Sequence, residues 1–284
     1  MPPESLPQRQ PKDAKGHDHI MIFSWNRLLG GGDEVLAARP RLALHHWPAA
    51  VYAIGDVHGC LAQLRQLHDK IFADAATIAG DKLIICCGDY IDRGPDSAGV
   101  LDYLNTPLPA GFRRVCLAGN HEVMMLEHVA NPRNVSEWFK FGGVETLLSY
   151  GLDIQTYLSA SPRIRTALLL THIPDYHLTF LRNLPVILTL PGAIFVHAGI
   201  RPGVPLDRQT EGDLLWIRDA FFDAADGVDG IVVHGHTPAA DPVVTPHRIC
   251  VDTGAFATGT LTAVRLVVEQ SPEFIKVTAL GPRS

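Results

Sequence analysis

The chain has 284 residues, 46% hydrophobic and 19% charged, with a net charge of −6 counting histidine as neutral. That length and mix suit a globular protein with a sizeable core and exclude a disordered chain or a collagen-like or coiled-coil rod. No run of about 18 apolar residues occurs, so no membrane-spanning helix is expected, and the acidic balance argues against a protein that grips nucleic acid by bulk charge.

The first 20 or so residues are polar and proline-rich and lack an apolar h-region, so they read as a tail and not as a secretory signal. Residues 20–47 hold some apolar side chains and a Gly30-Gly31-Gly32 turn and suggest no role. Residues 1–47 are therefore read as an N-terminal extension and 48–284 as one domain. From Val51 a single pattern recurs: a short apolar run that stops at glycine beside a polar, chelating residue. Val51–Ile54 runs into Gly55-Asp56-Val57-His58-Gly59, and Leu83–Cys87 into Gly88-Asp89. Val115–Ala118 runs into Gly119-Asn120-His121-Glu122, and Ala193–Val196 into His197-Ala198-Gly199. Ile231–Val233 meets His234-Gly235-His236, and Ile249–Val251 meets Asp252-Thr253-Gly254. Short continuous apolar runs bounded by glycine predict buried strands.

Between them, Leu61, Leu64, Leu67 and Ile71 keep helical spacing, as do Val100, Leu101 and Leu104. Gly94-Pro95-Asp96-Ser97 reads as a turn, with Ser97 capping the second helix. Ser161-Pro162 and Ile173-Pro174 read as helix starts with proline at the first helical position, so the segment from about 122 to 184 is expected to be mostly helical. Leu261–Val268 and Phe274–Leu280 are strand-like again. Alternating strands and helices followed by clustered strands predict an α/β protein with stacked sheets.

The predicted strand ends carry Asp56, His58, Asp89, Asn120, His197 and His236. Carboxylate and amide oxygens and imidazole nitrogens are ligands for a transition metal, and in open α/β sheets sites gather at the carboxyl ends of strands. Any one aspartate fits a turn or helix cap equally well; six such residues in the same context weaken that alternative. The glycines read as turn residues needing positive φ. The five cysteines (Cys60, Cys86, Cys87, Cys116, Cys250) form no C-x-x-C pair and read as buried free thiols, which points to a reducing, cytoplasmic setting.

Gly55-Asp56-Val57-His58-Gly59, Gly88-Asp89-Tyr90-Ile91-Asp92-Arg93-Gly94 and Gly119-Asn120-His121-Glu122 resemble the three signatures of the phosphoprotein phosphatase family, within the calcineurin-like metallophosphoesterase superfamily. Val196-His197-Ala198-Gly199 and Gly235-His236-Thr237-Pro238 resemble its two downstream histidine motifs. The likeness spans Val51 to about Gly254 and is strongest with the bacterial and phage branch, which includes lambda-phage phosphatase and diadenosine tetraphosphate hydrolases. It implies a four-layer α/β/β/α sandwich with two mixed central sheets. It also implies two divalent metal ions, Mn first, with Fe, Zn or Co as alternatives. Asp56, His58, Asp89, Asn120, His197 and His236 would hold them, with Asp89 bridging. A metal-bridging hydroxide would attack phosphorus in line, His121 would act as general acid, and Asp92 would orient it. Arg93 would grip phosphate, together with Asn120 and a second arginine. Arg218 resembles that second position, but a surface ion pair with Asp213 or Asp219 fits it equally well.

His234 is expected behind the ligands and not among them. Asp252 suits either a bond to a metal-bound histidine or a structural turn, and Glu122 either a helix-dipole role or a contact behind the site. Trp138, Phe139 and Phe141 are expected to pack the helical insert onto the core, with base stacking as the alternative. The remaining histidines, among them His17, His19, His45, His46, His68, His128, His172, His177 and His247, need no special role. The substrate expected from the resemblance is a phosphoserine or phosphothreonine protein, or a small phosphoester. Hydrolysis of diadenosine tetraphosphate is the alternative, and neither nucleic acid nor membrane is an expected partner.

Overall fold

The computed structural model describes residues 21–23, 38–132, 136–222 and 230–279. The expectations for the tail and for the Gly30-Gly31-Gly32 turn lie outside the described residues. The strands are β1 (Met21–Phe23), β2 (Arg41–Ala43), β3 (Ala50–Ile54), β4 (Lys82–Cys86), β5 (Phe112–Cys116), β6 (Ile187–Leu190), β7 (Ala193–Val196), β8 (Ile231–His234), β9 (Val243–Val244), β10 (Arg248–Cys250), β11 (Thr260–Leu266) and β12 (Glu273–Thr278). The helices are α1 (Leu61–Ala75), α2 (Ser97–Leu104), α3 (Asn120–Ala130), α4 (Ser136–Lys140), α5 (Gly143–Ser149), α6 (Ile154–Ser159), α7 (Pro162–His172), α8 (Asp175–Arg182), α9 (Glu211–Trp216), α10 (Asp219–Phe222) and α11 (Ala255–Thr258).

Two mixed sheets stack on each other. One runs β12-β11-β3-β4-β5 and the other β1-β2-β6-β7-β8-β10-β9. Val51, Ala53, Leu83 and Ile85 face Leu188, Phe195, Val233 and Ile249 in the core between the sheets. The alternate residues Tyr52, Ile54, Ile84 and Cys86 turn the other way and pack in a second core with Leu64, Leu67 and Ile71 of α1. Burial on both faces is why these strands read as unbroken apolar runs. The result is the four-layer α/β/β/α sandwich.

The parallel pairings explain where polar residues gather. β3, β4 and β5 are parallel neighbours, and so are β7, β8 and β10. Both trios deliver their carboxyl ends to the same end of the sandwich.

Several local expectations shift. β2 pairs in parallel with β6, so the sheet takes in Arg41–Ala43, ahead of residue 48 where the sequence reading begins the domain. Helix α2 is capped by Asp96, whose carboxylate accepts from Gly99 N at 2.9 Å, and not by Ser97, which is already helical. An aspartate one residue earlier reaches the same free N–H, and this leaves the Ser97 hydroxyl for another partner. Pro162 does sit at the start of α7, but Pro174 is the N-cap of α8 and not its first helical residue.

Candidate metal centre and catalytic site

Five loops at one end of the sandwich converge. Asp56 and His58 follow β3, Asp89 follows β4, Asn120 and His121 open α3 after β5, His197 follows β7, and His236 follows β8. All of these side chains are buried. Two triads of donor atoms form among the described residues: His58, Asp89 and His121, and Asp89, His197 and His236. Asp89 belongs to both, with Oδ2 3.6 Å from His58 Nε2 and Oδ1 3.4 Å from His197 Nε2. Asn120 Oδ1 closes the second triad, 2.9 Å from His197 Nε2 and 3.0 Å from His236 Nδ1.

Which imidazole nitrogen faces the site is fixed from behind. His58 Nδ1 lies 2.8 Å from the Ile91 carbonyl, and His197 Nδ1 lies 2.8 Å from the Cys87 carbonyl. A carbonyl only accepts, so Nδ1 carries the hydrogen and Nε2 keeps a lone pair for a ligand. Burial holds His58 well below the usual histidine range, pushes His197 down to about 4 and His236 down to about 2. All three are therefore neutral near pH 7, the form that binds metal.

The carboxyls move the other way. Burial raises Asp89 to about 6 and Asp56 well above the carboxylate range. Asp56 stands outside both triads. It accepts the His236 backbone N–H at 3.1 Å and faces the Asp252 carboxyl. Two facing buried carboxyls share a proton unless a cation lies beside them. Buried lone-pair nitrogens and carboxyls that need a positive neighbour make a donor set that fits divalent cations.

Two of the motif glycines act through space and not through φ. A Cβ on Gly119 would lie 2.1 Å from Asp89 Oδ1, and one on Gly235 would lie 2.0 Å from Asp56 Oδ1. Neither glycine has positive φ, contrary to the sequence reading of these positions. Left-handed conformations also fall on site residues that carry a Cβ: His58 (φ 43), Asp89 (52), Asp92 (72), Arg93 (66) and His236 (65). Such angles cost energy in residues with a Cβ, and they gather at functional sites.

Glu122 resolves toward its contact behind the site. Its carboxylate accepts from Gly119 N (2.8 Å), Asp89 N (2.9 Å) and Tyr90 N (2.8 Å), which ties the β4 loop to the start of α3. His234 packs on Phe221 and Phe222 and lies outside both triads. Asp252 resolves toward the turn: it holds its own loop by accepting from Gly254 N at 2.8 Å, and its carboxyl faces Asp56.

His121 and Asp92 form a direct pair, Nδ1 to Oδ2 at 2.7 Å. His121 Nε2 points into the site, 3.7 Å from Asp89 Oδ2 and 3.3 Å from Arg93 Nη2. Arg218 Nε donates to His236 Nε2 at 3.2 Å, which places this guanidinium at the mouth. The ion-pair alternative fails for Asp213, which pairs with Arg201.

Three exposed aromatic rings frame the opening, and sequence reasoning missed two of them. Phe256 (38% exposed) lies edge-on to His58 and under the Arg93 guanidinium, Trp216 (43%) stands against His236, and Phe141 (36%) stands against His121. Trp216 lies two residues before Arg218 and Phe256 four after Asp252, and that proximity was the only signal for them. A surface cavity of about 580 Å³ lies elsewhere, lined by Leu104, Phe112, Phe180 and Pro185 among others, and none of its residues belongs to this site.

Residues 49–259 match the family described as calcineurin-like phosphoesterase. The chain belongs to that family. Among relatives of this phosphoesterase, Serine/threonine-protein phosphatase 1 of Salmonella typhimurium is 28% identical over 237 residues, covering 80% of this chain and 95% of that protein. Bis(5'-nucleosyl)-tetraphosphatase PrpE [asymmetrical] of Oceanobacillus iheyensis is also 28% identical, over 81% of this chain and 92% of its own. A solved protein serine/threonine phosphatase from Saccharomyces cerevisiae matches with a TM-score of 0.50 at 14% identity, over 82% of this chain and 80% of that one. At that identity the likeness shows the fold. This calcineurin-like phosphoesterase is an enzyme, a metal-dependent phosphoesterase by family and by donor set.

Proposed function

We propose that the enzyme hydrolyses phosphomonoesters and acts as a serine/threonine protein phosphatase. The observation that carries this reading is the buried Asp92–His121 pair beside Asp89. A seryl or threonyl alkoxide is a strong base and leaves slowly unless it is protonated. The leaving phosphate of a dinucleoside polyphosphate is a weak base and needs no such help. A built acid therefore favours the monoester.

In this reading Asp56, His58, Asp89, Asn120, His197 and His236 hold two divalent cations, most simply Mn. Bound there, the cations supply charge neutralisation at phosphorus and a water of lowered pKa. The chain's own residues do the rest. Arg93 and Arg218 leave their imidazole partners and take phosphoryl oxygens, and Arg93 keeps its face against Phe256. Departure of Arg93 frees His121 Nε2 to carry a proton. Asp92 holds Nδ1–H and fixes the ring, so that Nε2 delivers its proton to the leaving oxygen.

The five described cysteines are all free and buried, which supports a reducing, cytoplasmic setting. No helix among the described residues is long and apolar enough to cross a membrane.

A second reading, dinucleoside polyphosphate hydrolysis, is favoured by the exposed rings of Phe141, Trp216 and Phe256, which suit stacking on a base. The test is a comparison of kcat/KM on a phosphoserine peptide and on diadenosine tetraphosphate, with Mn restored after chelation. The proposal expects the phosphopeptide to be the better substrate. A higher value on the dinucleotide would overturn it in favour of the second reading.

A further inference from the structure

We propose that the helical segment after α3 belongs to the acid machinery: Trp138 of α4 and Thr146 of α5 are positioning residues that lock the Asp92 carboxylate against His121. The inference rests on the reading of His121 as general acid. Asp92 is 0% exposed, and each of its oxygens has a donor. Oδ2 accepts from Trp138 Nε1 at 2.8 Å as well as from His121 Nδ1 at 2.7 Å. Oδ1 accepts from the Thr146 hydroxyl at 2.6 Å. The Asp92 backbone N–H, in turn, donates to Thr146 Oγ1 (2.9 Å) and Ser97 Oγ (3.0 Å). Thr146 therefore grips both the main chain and the side chain of one residue.

The backbone around this grip is close-fitting. Arg93 N donates to Gly142 O at 3.3 Å. A Cβ on Gly142 would lie 2.4 Å from Arg93 N, and one on Gly143 would lie 2.5 Å from the Trp138 ring. Asp92 and Arg93 both carry left-handed φ, an arrangement that persists only where surrounding bonds over-determine it. The backbone bonds that do so come from Thr146 of α5, Gly142 between α4 and α5, and Ser97, the first residue of α2.

A carboxylate bonded through one oxygen to one imidazole can swing, and the imidazole swings with it. Three donors on two oxygens leave Asp92 a single orientation. His121 Nε2 is then fixed where a leaving oxygen will be. During the reaction the P–O bond to the leaving group breaks with its electron pair on oxygen. The Nε2 proton goes to that oxygen and the alcohol departs. The ring is left neutral, with its Nδ1–H still on Asp92; the attacking water gives one proton to solvent and its oxygen completes the phosphate, and His121 Nε2 takes a proton back from solvent for the next turnover.

Packing alone would explain why Trp138 is buried, so the test separates packing from positioning. Full-length Trp138→Phe, Thr146→Val and Thr146→Ser variants are assayed with Mn on an alkyl phosphate and on p-nitrophenyl phosphate, whose phenolate leaves without a proton. The two variants that lose a donor, Trp138→Phe and Thr146→Val, are expected to lose about tenfold in kcat on the alkyl phosphate and much less on the aryl phosphate. Thr146→Ser, which keeps the hydroxyl, is expected to retain wild-type behaviour. Equal losses on both substrates, or none, overturn the inference. His121→Asn serves as the reference: if it shows no preference between leaving groups, the acid reading itself fails. If it shows one and the Trp138 and Thr146 variants do not, only this inference fails. A second readout needs no catalysis. The chain has four tryptophans, so the indole N–H region of a nitrogen-15 correlation spectrum is simple. The signal lost in Trp138→Phe is expected to resist solvent exchange and to shift in Asp92→Asn. Free exchange of that proton in the wild-type protein would overturn the bond on which the inference stands.

Discussion

Arg218 donates from Nε to Nε2 of His236 at 3.2 Å, while His236 Nδ1 faces His197 Nε2 and Asn120 Oδ1. A neutral imidazole has one lone pair. A cation on Nδ1 puts the hydrogen on Nε2, and the bond from Arg218 is then lost. Arg218→Met keeps the length of the side chain and removes the donor that competes with a cation. Calorimetry of the chelated protein is expected to show Mn binding tighter by about 1 kcal/mol, roughly fivefold in Kd. The same variant should lose phosphate affinity, seen as a higher KM. Weaker Mn binding would show that Arg218 supports the site through some other route.

The buried carboxyls set a pH dependence. Burial pushes Glu122 up to about 7 and Asp89 up to about 6. Burial also raises Asp92 to about 8, against the pull of Thr146 and Trp138, so the hydrogen-bonded Asp92–His121 pair keeps its one extra proton into this range. In each case the folded state holds its proton to higher pH than the unfolded state, so stability falls as pH rises through these values. The histidines lowered by burial act oppositely but only below about 6.5, where the unfolded chain starts to bind their protons. Between about pH 6.5 and 8 the acids alone remain, and the Tm of chelated protein is expected to decline. Excess Mn should flatten that decline. A Tm that climbs over this window would contradict the assignment.

Arg93 sits at φ 66 without a glycine's freedom. Arg93→Ala and Arg93→Gly both remove the guanidinium and should lose activity alike. Their stabilities should differ, with the glycine variant melting higher by the equivalent of about 1 kcal/mol. In ordinary strand or helix positions the order is the reverse. Denaturant melts of the two proteins check this directly.

Gly119→Ala would press a methyl against Asp89 Oδ1, and Gly235→Ala would press one against Asp56 Oδ1. Each is expected to cost about 1–3 kcal/mol of stability through overpacking. Each should also reduce retained metal, measured by elemental analysis after gel filtration, more than Gly212→Ala does. A methyl on Gly212, in α9, would meet nothing nearer than Thr210 Oγ1 at 3.7 Å, so that variant controls for the loss of a glycine outside the donor set.

The candidate ligands stand out in the sequence because the strands before them are buried on both faces. Val51–Ile54 and Leu83–Cys87 read as unbroken apolar runs, and the polar residue after each run is conspicuous. The short strands were not legible. β2 has three residues and β9 has two, too few to show a period of two, and β5 starts three residues ahead of its apolar stretch, with Arg113 and Arg114 inside it. The bonds that organise the site were hidden for a different reason. Trp138 and Thr146 are 46 and 54 residues from Asp92 in sequence, and nothing local announces that an indole N–H or a threonine hydroxyl will meet that carboxylate. Trp138 was legible as a packing residue, which it also is, with base stacking as the alternative.

The two sheets share the site unequally along the chain. Asp56, Asp89 and Asn120 follow strands of one sheet, and His197 and His236 follow strands of the other. The first sheet is itself incomplete until β11 and β12, residues 260–278, have joined β3. Neither sheet alone brings all six candidate donors together, so the cage closes only where the two sheets have packed. Loss of packing between the sheets and loss of the cation are therefore expected to come together, so a bound cation should tie the two sheets into one cooperative unit.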